Sequence, residues 1–188
     1  MAKIIALAGS LRQSSYNQLL VSNAALGASA AGAEVQIINL SDYNIPLFSE
    51  DLEAEGAPAA VNDLKHLFAQ SQGILIASPE YNGSISGVLK NAIDWLSRPS
   101  QGVEIGSAFQ GKVAGIMAAS PCGLGGLRGL THLRDVLFNL GTLVNPNQIA
   151  VADAYKAFDE QGQLQDAELS ERVKTLGGEI AKLADKIN

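Results

Sequence analysis

The stretch Gly9-Ser10-Leu11-Arg12-Gln13-Ser14-Ser15-Tyr16-Asn17 gathers groups suited to an anion. It offers hydroxyls from Ser10, Ser14 and Ser15, an amide from Asn17 and a guanidinium from Arg12. Arginine suits phosphate because its planar fork donates two parallel bonds. A helix predicted from about Ser15 to Ala31 adds unpaired N–H groups and a partial positive charge at the same place. Two familiar phosphate loops fit poorly. A P-loop needs a Lys before its Ser or Thr, and a dinucleotide fingerprint needs G-x-G-x-x-G. This stretch has a single glycine and no lysine. A terminal monophosphate held by hydroxyls is the better match. Helix capping by Ser14 or Ser15 explains one serine, but not Arg12 with its polar neighbours.

A second stretch reads Ser78-Pro79-Glu80-Tyr81-Asn82-Gly83-Ser84-Ile85-Ser86-Gly87. Pro79 stiffens the chain, and Asn82-Gly83 tolerates positive φ and a tight turn. Such a turn points backbone N–H groups toward a flat polar ligand, which the Tyr81 ring would border. An ordinary turn, with Ser86 capping the next helix, accounts for the spacing equally well. Cys122 is the single cysteine, so one chain holds no disulfide and no cysteine-based zinc cluster. His66 and His132 lie far apart on predicted helices and form no metal motif. Trp95 reads as packing, and Arg98 as a helix C-terminal cation answering the dipole.

These stretches need elements to hold them. Lys3 to Ala8, Val35 to Leu40, Gly73 to Ala77 and Lys112 to Ala119 are short apolar runs suited to strands buried on both faces. Thr142 to Val144 with Ile149 to Val151 supplies a fifth strand, broken around Pro146. Apolar stripes at helical spacing lie between them: Val61 to Phe68, Val88 to Leu96 and Leu127 to Leu140, with a last one from Leu169 to Ile187. Asn44 to Gly56 reads as a polar loop. Strands alternating with helices imply an α/β fold whose parallel sheet has helices on both faces. The flavodoxin-like strand order 2-1-3-4-5 is the commonest for five strands. Ligands in such folds lie beyond the carboxyl ends of the strands. That rule selects the loops after strands one, three and four.

The chain has 188 residues, 47% of them hydrophobic and 17% charged, which suits one domain over 1–188. A net charge of -6 disfavours nucleic acid and anionic membranes as partners. No apolar stretch approaches the roughly 20 residues that span a bilayer. Lys3 and the short run after it read as a strand rather than a leader, so a cytoplasmic location is expected.

Gly9-Ser10-x-Arg12-x-x-Ser15-x-Asn17 and Ser78-Pro79-Glu80-Tyr81-Asn82-Gly83 together resemble the two hallmarks of the NAD(P)H-dependent FMN reductase family. Leu89-Lys90-Asn91-Ala92-Ile93-Asp94-Trp95 and Ser97-Arg98-Pro99 extend the second match. Ser120-Pro121-Cys122-Gly123-Leu124-Gly125-Gly126-Leu127-Arg128 is similar to a glycine-rich segment of that family, which often has glycine where Cys122 stands. The resemblance implies that Ser10, Arg12, Ser15 and Asn17, with Tyr16 among them, hold an FMN phosphate. It implies that Pro79, Glu80, Tyr81, Asn82 and Gly83 line the ribityl chain and ring, with Ser120 at the far edge. It further implies NADPH or NADH as co-substrate and a small-molecule electron acceptor such as a quinone or flavin. A homodimer or homotetramer is implied as well. Two alternatives stand beside it: a flavodoxin-type FMN electron carrier, and a flavin-free nucleotide-binding module.

Overall fold

The computed structural model describes residues 1–100 and 102–187. Five parallel strands form the central sheet: β1 (Lys3–Ala8), β2 (Glu34–Asn39), β3 (Gly73–Ala77), β6 (Val113–Ala119) and β7 (Leu143–Val151). Their order is β2-β1-β3-β6-β7, which is the expected 2-1-3-4-5 once the five are counted alone. A two-stranded hairpin, β4 (Glu80–Tyr81) and β5 (Ser84–Ile85), stands apart from the sheet.

The strands read as continuous apolar runs because both faces are covered. Side chains alternate across a strand. Ile4, Ala6 and Ala8 pack with α1 (Tyr16–Ala30) and α6 (Ala167–Lys186). Ile5 and Leu7 face the other layer, where α3 (Ala59–Ala69), α4 (Gly87–Ser97) and α5 (Leu127–Asn139) supply Leu64, Phe68, Leu89, Ile93, Leu130 and Leu133. Among the described residues, no helix is long and apolar enough to cross a membrane.

Three expectations from sequence are corrected here. The fifth strand is not broken. Val144 lies opposite Ala114 and Gln148 opposite Ile116, so the ladder bulges over Asn145-Pro146-Asn147 and then resumes. Pro146 has no N–H to give, and an edge strand tolerates that. Glu179 of α6 accepts from the side-chain amides of Asn145 (3.2 Å) and Asn147 (3.1 Å), which holds the bulge. The polar loop from Asn44 to Gly56 contains a short helix, α2 (Glu50–Glu55).

That segment is strapped onto α4. The carbonyl of Pro46 accepts from Asn91 Nδ2 (2.9 Å) and Trp95 Nε1 (2.8 Å), and Phe48 N donates to Asn91 Oδ1 (2.8 Å). Arg98 does not simply answer a helix dipole. Its guanidinium donates to the Glu53 carboxylate in two near-parallel bonds, Nε to Oε1 at 2.9 Å and Nη2 to Oε2 at 2.8 Å.

The α1–α6 contact is the tightest between helices. A Cβ placed on Gly27 would stand 2.0 Å from the Lys174 carbonyl oxygen. The backbones meet directly, so a methyl group there must push the helices apart. Gly27→Ala is expected to lower stability by about 3 kcal/mol, the upper part of the usual overpacking range. The check is a lower urea midpoint at unchanged slope.

Candidate functional site

The loops after β1, β3 and β6 lie at one end of the sheet, and three side chains tie them together. The first tie joins loop one to loop two. Ser86 caps α4, accepting from Leu89 N at 3.1 Å, and its hydroxyl also donates to the Gly9 carbonyl at 2.6 Å. Gly9 N donates to Ala77 O at 2.8 Å, which continues the β1–β3 ladder by one bond. A cap was expected of Ser86; the second bond was not, because Gly9 is 77 residues away.

The second tie joins loop one to loop three. Strand β3 pairs with β6 only as far as Ala77 and Met117, so Ala119 has no ladder partner on that side. Asn17 supplies both missing bonds: its Nδ2 donates to Ala119 O and its Oδ1 accepts from Ala119 N, each at 2.9 Å. From sequence the Asn17 amide is expected at an anion. The structure assigns it to Ala119 instead, because a buried strand end needs satisfying. The backbone N–H groups of Tyr16 and Asn17 stay open, since a first helical turn has no carbonyl one turn back.

Elsewhere in loop one, Ser15 is the N-cap of α1 and accepts from Gln18 N at 3.4 Å. Ser10 Oγ accepts from Arg12 N at 3.2 Å. Arg12, Gln13 and Ser14 are exposed. The Arg12 guanidinium lies 5.9 Å from the centre of the Tyr16 ring, and that ring stacks with Phe158 at 6.3 Å. So Tyr16 supports the guanidinium from below.

In loop two, Asn82 (φ 53°) and Gly83 (φ 77°) join β4 to β5. Two consecutive residues with positive φ make a type I′ hairpin turn, which suits Asn-Gly. A hairpin of two paired residues per strand is marginal alone. It depends on anchors. Ile85 is buried in the core, and the Ser84 hydroxyl shares a 2.9 Å hydrogen bond with His132 Nδ1.

Glu80 is the strongest anchor and makes the third tie, from loop two to loop three and α5. Its side chain is only 8% exposed and reaches the start of α5. It accepts from Arg128 N (3.0 Å), Arg128 Nε (2.7 Å) and Gly129 N (3.3 Å), and also pairs with Arg128 Nη2. The carboxylate therefore caps a helix from a distant loop. From sequence Arg128 is only the end of the glycine-rich stretch and Gly129 carries no role, because nothing local announces a partner 48 residues away.

In loop three, Ser120 N donates to Val151 O (3.0 Å) and Ser120 Oγ accepts from Cys122 N (3.2 Å). Cys122 is exposed. Leu11, Tyr81, Leu124 and Leu127 contribute large exposed apolar side chains from the three loops and the start of α5. The end of the sheet thus combines a polar loop with apolar surface. Pro79 is half-buried between β3 and the hairpin, and its carbonyl accepts from the Ser78 hydroxyl at 3.0 Å.

Burial pushes the Glu80 carboxyl up, but the bonds from Arg128 and Gly129 outweigh it and hold it below the usual 4.5. A carboxyl lowered on folding stabilises the fold above its unfolded pKa. That contribution is lost as pH falls through the folded value. Glu80→Gln is expected to cost about 2 kcal/mol at pH 7, in the range of a hydrogen bond to a charged group. Urea midpoints of both proteins between pH 7 and pH 3 check this. The gap between them closes on the acid side.

The chain is similar to known proteins over most of its length. The family model for NADPH-dependent FMN reductase matches residues 2–156. An NAD(P)H-dependent FMN reductase of Pseudomonas aeruginosa is 38% identical over 173 residues, covering 92% of this chain and 89% of that protein. An NAD(P)H:quinone oxidoreductase of Solanum tuberosum is 35% identical over 192 residues, covering 98% and 94%. Among solved structures, the flavoenzyme NAD(P)H:(acceptor) oxidoreductase FerB of Paracoccus denitrificans superposes with a TM-score of 0.84 at 26% identity, over 99% of this chain and 98% of that one. The flavodoxin-like chain with three tied loops belongs to the NADPH-dependent FMN reductase family.

Proposed function

We propose that FMN binds across the three tied loops, and that the enzyme there passes hydride from NAD(P)H to a quinone, a flavin or another small oxidant. Family membership and reductase relatives that match nearly end to end support the enzymatic reading over an electron carrier without turnover of its own. The observation that carries the site is the first turn of α1. Open N–H groups, the N-cap Ser15 and the exposed Arg12 meet there, at the end of the loop that follows the first strand.

The residues present fit the cofactor. In this reading Arg12, Ser10 and Ser15, with the N–H groups of Tyr16 and Asn17, hold the phosphate. Tyr16 keeps Arg12 in place through its ring. Pro79, Glu80, Tyr81, Asn82 and Gly83 border the ribityl chain and ring through their main chain. A Cβ at Gly83 would meet nothing within 4 Å, so that turn has room for a ligand. Ser120 closes the far edge, beside Cys122.

When bound, FMN supplies the redox chemistry, taking two electrons and a proton as hydride and releasing them to the acceptor. The protein's share is position and electrostatics. The N–H groups of Asn82 and Gly83 are prearranged by the type I′ turn and offer donors where negative charge develops. The apolar side chains of Leu11, Tyr81, Leu124 and Leu127 exclude water from the surface where nicotinamide and acceptor would take turns. The whole chain reads as one FMN-binding domain, with either NADPH or NADH as donor.

Assembly into a homodimer or homotetramer is part of the same proposal. Ile85, Lys90, Asp135 and Val136 are among the residues that line a groove of about 500 Å³ beside the hairpin, a surface on which a second copy would pack.

Steady-state oxidation of NADPH and NADH by the FMN-loaded protein, across quinones, flavins and other oxidants, tests the reading. Turnover with at least one acceptor is expected, and none with any acceptor would overturn it. Arg12→Ala is expected to weaken FMN binding about tenfold, equivalent to about 1.4 kcal/mol. Turnover of the variant, once saturated with FMN, stays near that of the parent.

A further inference from the structure

We infer that the Glu80–Arg128 pair, set at the start of α5, tunes how readily the bound flavin accepts hydride. The inference rests on the FMN reading above. Glu80 adjoins Tyr81 and the Asn82-Gly83 turn, so its main chain and its carboxylate serve different masters. The main chain belongs to the hairpin, and the carboxylate to α5.

Three charges are balanced there. The carboxylate is negative and nearly buried, at 8% exposure. The Arg128 guanidinium is positive and 65% exposed. The N-terminus of α5 adds a partial positive charge through the N–H groups of Arg128 and Gly129. Hydride brings two electrons and one proton, so the ring gains one negative charge on reduction. Any positive charge left over beside it favours the reduced form, and any negative charge the oxidised form.

A purely structural anchor makes a different prediction. If the pair only holds the hairpin, losing either partner loosens the same contact. The two losses then act in the same direction. If the pair tunes charge, they act in opposite directions, because one removes a negative charge and the other a positive one.

The test measures the flavin midpoint potential in Glu80→Gln, Arg128→Gln and the double variant. FMN titration by fluorescence quenching runs alongside it. The potential is expected to rise in Glu80→Gln and to fall in Arg128→Gln. The double variant is expected to lie nearer the parent than either single one. Solvent screens the exposed Arg128, so each single shift is modest. It corresponds to about a threefold change in the ratio of affinities for reduced and oxidised FMN, or about 14 mV for a two-electron couple. Shifts of the same sign would overturn the inference, as would no shift in either variant. If Glu80→Gln does not fold, Arg128→Gln is compared with Arg128→Lys, which keeps the positive charge but loses the paired guanidinium bonds: a fall in Arg128→Gln that Arg128→Lys does not share supports the inference, and equal shifts, no shift or a rise overturn it. Failure of the parent protein to bind FMN is a separate outcome, which overturns the FMN reading itself and the inference with it.

Discussion

Strands and helices that end together leave backbone groups without partners, and the proposed site is built around how those ends are satisfied. Ser86 reaches Gly9, Asn17 reaches Ala119, and Glu80 reaches the first N–H groups of α5. Each bond crosses from one loop to another. Three otherwise independent loops become one surface, and buried polar groups bonded in this way resist displacement. The first turn of α1 and the Asn82-Gly83 hairpin are held relative to each other through these ties.

Much of this was legible in the sequence, for physical reasons. The five strands announce themselves because both faces of the sheet are covered, which demands unbroken apolar runs such as those of β1 and β3. The hairpin turn is legible because positive φ at two successive positions leaves few residue choices, and Asn82-Gly83 is one of them. The capping serines Ser15 and Ser86 are legible because a cap is a local contact.

What escaped is nonlocal. The bulge at Pro146 depends on Glu179 of α6, and a proline alone reads as an interruption. The Asn17 amide reads as an anion ligand until the unpaired end of β6 is seen. Glu80 reads as one more polar loop residue until Arg128 and Gly129 arrive from the next helix. Arg98 follows the same pattern with Glu53. Charge behaves likewise: the chain is acidic overall at -6, yet the exposed Arg12 and the start of α1 form a local positive site. Local geometry, not the sum of charges, decides what binds there.

In the proposed site the first loop recognises a phosphate and the other two loops recognise what it carries. A paired titration of the flavin-free protein with FMN and with riboflavin tests it most directly, because the two ligands differ only in the phosphate. FMN is expected to bind about a hundredfold more tightly than riboflavin, as two or more charge-assisted bonds imply. Equal affinity for the two would contradict it.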